Sequence, residues 1–207
     1  MPFLPLLLFP LIGGLLIWAV VAQTRRTAAN LQKLAAQLGL DFDAGGGWLN
    51  RPGVAGSLDG RHVRIFNYTT GSGKSSTTWS AITAELSAPS PLTFTLKRQG
   101  FSTKIAEFFG AHEITVGDAE FDQAWFIQTN QPDFMRAALI PELRAKLMAA
   151  LHAGLSGSFQ LKGGDVKYAE IGTFADAKRT SRFAALAEVT CDLADVAEVA
   201  AQGQGAT

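Results

Sequence analysis

One uncharged segment at the amino terminus constrains this chain more than any other feature. Residues 3–22 read FLPLLLFPLIGGLLIWAVVA and contain no charged side chain. As a helix, such a segment rises about 30 Å, the thickness of the hydrocarbon core of a bilayer. Arg25 and Arg26 follow at once, and positive charge stays on the cytoplasmic side of a membrane. The sequence therefore predicts a single transmembrane helix with the amino terminus outside and the following domain in the cytoplasm.

A cleaved signal peptide is the alternative interpretation of the same segment. Val20 and Ala22 place small residues where a peptidase would cut after Ala22, and the protein would then be exported. A signal peptide normally has a basic start and an apolar run of about 7–15 residues. This segment has no Lys or Arg before its apolar run, and the run is longer. The sequence thus favours the permanent anchor.

The composition excludes several function classes. Lys and Arg number 18 and Asp and Glu also number 18, so the chain lacks the basic excess typical of nucleic-acid binding. The single cysteine, Cys191, allows neither an internal disulfide nor a zinc site with several cysteines. His62, His112 and His152 match no metal-ligand spacing. We therefore predict no nucleic-acid partner, no metal and no cofactor.

The chain divides into four predicted regions. The transmembrane anchor takes residues 1–23, a juxtamembrane helix takes 24–42, a soluble domain takes 43–200, and 201–207 form a disordered tail. The juxtamembrane helix is predicted from apolar residues at helical spacing, among them Leu31, Leu34 and Leu38.

The soluble domain combines strand and helix patterns. Asp59-Gly60 lies between two short β-type runs, which predicts a two-residue hairpin turn. Helical patterns cover 130–154, with Pro141 predicting a kink or a new helix, as well as 101–110 and 175–200. We predict an α+β fold of six to eight hairpin-connected antiparallel strands with two long helices. A partly closed barrel similar to pleckstrin-homology-like domains is the alternative.

The stretch NYTTGSGKSSTTW contains part of a phosphate-binding loop. Gly73, Lys74 and Ser75 fit the last three positions of the Walker pattern. The first glycine of that pattern falls on Tyr68, and a strand pattern follows where the motif needs a helix N-terminus. We therefore interpret the stretch as a turn between two strands.

The most acidic stretch carries Glu113, Asp118, Glu120 and Asp122. A hydrolase or transferase could use Asp118 and Asp122, with His112 as a further acid–base group, provided that the three converge in a pocket. Alternatively, Asp118 and Asp122 bind backbone amides and hold a turn. The spacing matches no calcium-binding loop, and we assign no residue a catalytic role.

The last helix pattern separates its charges. Lys178, Arg179 and Arg182 lie early, and acidic residues lie late. The basic end could face anionic lipid headgroups, as a lipid-binding or envelope-stress module would. Ordinary solvated charge explains the same pattern.

A longer motif begins at Val116. Its pattern is G-D-x-x-F-D, an apolar strand, a polar link and a helix with Leu-x-Pro-x-Leu, here Gly117, Asp118, Phe121, Asp122, Phe126, Leu139, Pro141 and Leu143. The motif resembles a family of uncharacterised bacterial membrane-anchored proteins. The resemblance implies a bacterial domain beside a transmembrane segment, and it supplies no activity, ligand or catalytic residue. We place the predicted transmembrane segment in the bacterial inner membrane.

Because no constellation of catalytic residues stands out, we expect a membrane-tethered, non-enzymatic interaction module with a protein partner. The lipid-binding module and the hydrolase using Asp118 and Asp122 are the alternatives.

Overall fold

The computed structural model describes residues 4–45, 51–100 and 112–204. The helices in these ranges, numbered in chain order, are α1 (Leu4–Leu38), α2 (Ala119–Ala124), α3 (Pro132–Ala138), α4 (Pro141–His152) and α5 (Ala177–Gln204). The strands are β1 (Asp41–Asp43), β2 (Gly53–Leu58), β3 (Arg61–Thr70), β4 (Thr77–Glu85), β5 (Phe94–Arg98), β6 (His112–Ile114), β7 (Trp125–Thr129), β8 (Ser158–Leu161) and β9 (Asp165–Ile171). The helix predicted over 101–110 lies outside the described residues.

All nine strands belong to one antiparallel sheet in the order β1-β2-β3-β4-β9-β8-β5-β7-β6. The predicted α+β class with a hairpin-built antiparallel sheet is therefore confirmed, with nine strands instead of six to eight. Strands β1 and β6 form the two edges, and among the described strands they do not pair with each other. The described sheet is thus open, unlike the partly closed barrel that was the alternative.

Local turn chemistry sets the first hairpins. Asp59 and Gly60 have φ values of 52° and 81°, and Leu58 pairs with Arg61 across the turn. This is the predicted two-residue turn, which needs positive φ at both central positions. Gly73–Ser75 form a single 3-10 turn between β3 and β4, so the Gly-Lys-Ser stretch is the predicted connection between two strands.

A continuous apolar row crosses the inner face of the sheet. In register from one edge to the other, its members are Phe42, Val54, Ile65, Ile82, Tyr168, Phe159, Leu96, Ile127 and Ile114. Helix α5 packs on this face, where the ring of Phe183 lies 5.7 Å from that of Tyr168. Helix α4 packs on α5. Burial of this row against the helices stabilises the fold by the hydrophobic effect.

Helix α1 corrects the predicted anchor. It runs without a break from Leu4 to Leu38, and its second half packs on the domain through Leu31 and Leu34, which are 0% and 2% exposed. Its first half carries exposed apolar side chains such as Ile17 and Trp18. Among the residues that the structure describes, no helix combines the length and the apolar character needed to cross a bilayer.

The predicted transmembrane helix over residues 3–22 is therefore wrong, and so is the predicted topology in the bacterial inner membrane. The uncharged run is not a separate span. It is the beginning of a 35-residue helix that continues through Arg25 and Arg26 into a half that packs on the domain.

Two helix boundaries refine the sequence pattern. Pro141 is the first residue of α4, so the predicted helical region is split into α3 and α4. Proline suits the first turn of a helix because its missing N–H has no intrahelical partner there. Helix α5 extends to Gln204, beyond the predicted end of the domain at residue 200.

Candidate functional site

The acidic turn before α2 is built by the two aspartates that the sequence singled out. Asp118 caps α2, and its Oδ1 accepts a hydrogen bond from the Phe121 N–H at 3.3 Å. Asp122 accepts hydrogen bonds from the N–H groups of Val116 and Gly117 at 2.8 and 3.0 Å. Both carboxylates therefore hold backbone in place, as the structural interpretation required.

The third residue of the hydrolase hypothesis lies apart. His112 is exposed on edge strand β6, where it pairs with Thr129. Within the described ranges, no hydrogen bond joins it to either aspartate. Arg144 instead approaches Asp118 at 3.5 Å. The three groups form no shared acid–base arrangement, and the geometry does not favour the hydrolase.

Two of the three basic residues assigned to lipid headgroups point into the protein. Arg179 Nε and Arg182 Nη2 donate to Glu170 Oε1 at 2.6 and 2.8 Å. Both arginine side chains are 18% exposed and Glu170 is fully buried. Lys178 stays exposed. The basic cluster therefore neutralises an internal carboxylate and does not form a continuous cationic surface.

Glu170 is the residue that sequence reasoning missed. Tyr168 Oη and Ser156 Oγ donate to its Oε2 at 2.7 and 3.2 Å. Burial and the Glu170 carboxylate raise the pKa of Tyr168 far above its ordinary value, so this hydroxyl keeps its proton and donates. The sequence did contain a signal for this site, the alternation of inward and outward side chains along β9. Val166, Tyr168 and Glu170 occupy successive inward positions of this strand, and a carboxylate that points into the protein requires partners.

The outer face of the sheet carries aromatic rings at one end. Side chains alternate across a strand, so Phe66, Tyr68 and Trp79 face away from the core. The rings of Tyr68 and Trp79 are nearly parallel, with an interplanar angle of 11° and a centroid separation of 6.2 Å. Phe66 lies 6.0 Å from Tyr68. Trp79 Nε1 donates to Thr70 Oγ1 at 2.8 Å, which fixes the indole orientation.

Two cations border these rings. The Lys167 ammonium lies 3.9 Å from the centre of the Tyr68 ring, and the Arg64 guanidinium lies 5.5 Å from the centre of the Phe66 ring. Such contacts are favourable because the face of an aromatic ring is electron-rich. No carboxylate in the described part of the chain forms a salt bridge with either cation. We call Arg64, Phe66, Tyr68, Trp79 and Lys167 the aromatic surface.

The described residues offer no arrangement of three or more His, Cys, Asp or Glu side chains that could hold a metal ion.

Comparisons with known proteins give one informative match. No family model matches the sequence, and no curated protein matches it significantly. The fold is similar to that in the crystal structure of the mycobacterial trehalose monomycolate transport factor A, TtfA, with a TM-score of 0.55 and 13% sequence identity. The match covers 84% of this chain and 93% of that chain. The two proteins therefore share a fold over most of their lengths, and the motif resemblance to the membrane-anchored family stays a prediction.

Proposed function

We propose that the protein is a non-enzymatic interaction module that binds a protein partner on the aromatic surface. The observation that carries this proposal is the pair of nearly parallel rings, Tyr68 and Trp79, on a sheet face turned away from the core. Aromatic side chains contribute large contact areas at interfaces, with little conformational entropy to lose.

The charges define the chemistry of the partner. Lys167 and Arg64 lie beside the rings without a described salt-bridge partner, so an acidic group of a ligand would gain a charge-assisted hydrogen bond there. On the same outer face, the neighbouring positions between the rings and β8 are small, because Phe66 pairs with Ala81 and Ala81 pairs with Ala169. We propose a partner segment that carries apolar side chains for this surface and at least one Asp or Glu.

The fold similarity supports a role in transport. TtfA is named as a transport factor for trehalose monomycolate, and a module with the same fold could serve a comparable assembly. We propose that the partner belongs to a transport system. At 13% identity the match shows the fold alone, so this role rests on the partner experiment below.

Site-specific photo-crosslinking in the producing cell tests the proposal. A benzophenone amino acid is placed at Thr83, which lies between Arg64 and Lys167 in the sheet register. The same amino acid at Ala145, exposed on α4, is the matched control. We expect a discrete adduct from position 83 and none from position 145, with the partner identified by mass spectrometry.

Substitutions then distinguish specific binding at the aromatic surface from non-specific hydrophobic association. Tyr68→Ser with Trp79→Ser should abolish the adduct from position 83. Ile140→Ser, which removes an apolar side chain that is 50% exposed elsewhere, should leave it unchanged. The proposal fails if no discrete adduct forms, or if the double variant keeps it. A partner unrelated to transport would retain the interaction module and refute the transport role.

A further inference from the structure

A small apolar cavity lies in the helical layer, on the opposite side of the sheet from the aromatic surface. It occupies ≈ 170 Å³ between α4 and α5. Its walls include Ala149 and Ala150 from α4, Ala153 directly after this helix, and Leu186 and Val189 from α5. The short alanine side chains keep the two helices from filling the space between them.

Two cations, Arg182 and Lys146, line this cavity. Arg182 is part of its wall, and the side chain is 18% exposed. Its Nη2 binds Glu170, while its Nε is buried without a hydrogen-bond partner among the described residues. A buried donor without a partner destabilises the protein, and the cost is greater when the group is charged. The arginine therefore has hydrogen-bonding capacity that the protein does not use.

The internal carboxylate is shared between two arginines. Glu170 also accepts from Arg179, and Arg179 has a second acidic neighbour, Asp176, at 3.7 Å. Among the described residues, Arg182 forms a salt bridge with Glu170 alone. The arginine that lines the cavity thus has fewer salt-bridge partners than Arg179.

The other charges at the cavity lie toward its exposed side. Lys146 is already paired with Asp192 at 2.6 Å, and Glu188 is exposed. An anion that uses Arg182 must therefore pass exposed residues and bring its own apolar body against the alanine walls.

We infer that the cavity binds a carboxylate carrying a short acyl chain, with the carboxylate on Arg182 and the chain between α4 and α5. The cavity volume is about five to six times the ≈ 30 Å³ that one water molecule occupies in the liquid. This volume suits an acyl chain of about five to six carbon atoms. The walls contribute apolar contact, and the guanidinium supplies charge and donors for a carboxylate.

Calorimetric titration of the full chain with hexanoate tests this inference. We expect saturable binding of hexanoate, and binding at least about tenfold weaker for hexanol, which lacks the charge. Acetate, which lacks the chain, should also bind at least about tenfold more weakly. From butanoate to hexanoate, affinity should rise about fourfold for each added methylene. Equal affinities for hexanoate and hexanol would overturn the assignment, as would absence of hexanoate binding.

Matched variants locate the site. Ala185→Leu places a larger side chain at the cavity wall and leaves every residue of the Glu170 cluster unsubstituted, and Ala145→Leu makes the same change on α4 outside the wall. The first should abolish hexanoate binding and the second should preserve it. Arg182→Met should also abolish it, with folding checked by circular dichroism. Retention of binding by Ala185→Leu would refute the cavity as the site. Tyr68→Ser with Trp79→Ser should bind hexanoate normally, so this inference and the proposed function can fail separately.

Discussion

Replacement of Glu170 by glutamine tests whether the buried cluster holds the carboxyl-terminal part of the fold together. Glutamine keeps the shape of the side chain and removes its charge. Arg179 and Arg182, which contact one carboxylate oxygen at 2.6 and 2.8 Å, would then share a neutral amide. Tyr168 would lose an ionised acceptor that lies 2.7 Å from its hydroxyl.

The magnitude follows from the burial of the cluster. Removing one partner from a buried ion pair costs about 3–5 kcal/mol, because the remaining charge is left uncompensated. Both arginines are 18% exposed, so water screens part of the uncompensated positive charge. We therefore expect a loss at the lower end of this range, about 3 kcal/mol. At roughly 2–4 °C per kcal/mol for a chain of this size, the melting temperature should fall by about 6–12 °C.

Equilibrium urea unfolding, with the free energy of unfolding extrapolated to water, measures the effect. The control is Asp133→Asn, which removes one partner of the exposed ion pair with Arg136 and should leave the unfolding midpoint unchanged. In the double variant Glu170→Gln with Arg179→Met, the loss in free energy of unfolding should be smaller than the sum of the losses in the two single variants. The reason is that Arg179→Met removes one of the charges that Glu170→Gln leaves unpaired. A loss below about 1 kcal/mol for Glu170→Gln would refute the reasoning.

Three further predictions address packing, pH and thiol chemistry. Gly157→Ala should lower the free energy of unfolding, measured in urea, by about 3 kcal/mol or more, because an added Cβ would overlap the backbone oxygen of Ala169 in β9. Gly164→Ala is the control, since an added Cβ there meets open space and should not destabilise the protein. The Arg61 hydrogen bond lowers the pKa of Glu198 from 4.5 to about 2. The free energy of unfolding of the unsubstituted protein should therefore exceed that of Glu198→Gln above pH 4.5. The difference should shrink as the pH falls from 4.5 through 2 and vanish below 2, where the carboxyl is protonated in both the folded and the unfolded state. Burial raises the pKa of Cys191 to about 11, so the native thiol should resist iodoacetamide at pH 8 and react once urea unfolds the chain; rapid native alkylation would contradict this.

Local features of the fold were predictable because their causes lie within a few residues. The turn at Asp59-Gly60 depends on two residues that accept positive φ, and the start of α4 depends on Pro141. The acidic turn was foreseen as one of two interpretations, since Asp118 and Asp122 are close in sequence to the amides that they bind.

The candidate sites were not predictable, because each depends on long-range register. Arg179 and Arg182 resemble a solvated basic end until α5 is placed on β9, which brings both to Glu170. Tyr68 and Trp79 meet only because β3 and β4 pair in one register. The apolar amino-terminal run predicted a helix correctly. The spacing of Leu31, Leu34 and Leu38 predicted the helix that follows, but the composition of the run could not show that the two form one helix whose second half packs on the domain.

The strand order has a consequence for how the chain folds. The hairpin formed by β8 and β9 is the link between two parts of the sheet, since β4 pairs only with β3 and β9, and β5 pairs with β8 and β7. Strand β4 ends at Glu85, whereas β9 begins at Asp165, so this pairing closes a long loop and slows folding. During synthesis, β4 and β5 each keep an unpaired edge until the hairpin emerges, and unpaired edges promote aggregation. A chain that stops before residue 158 would retain both edges. The segment that begins with β8 therefore protects the rest of the sheet against self-association.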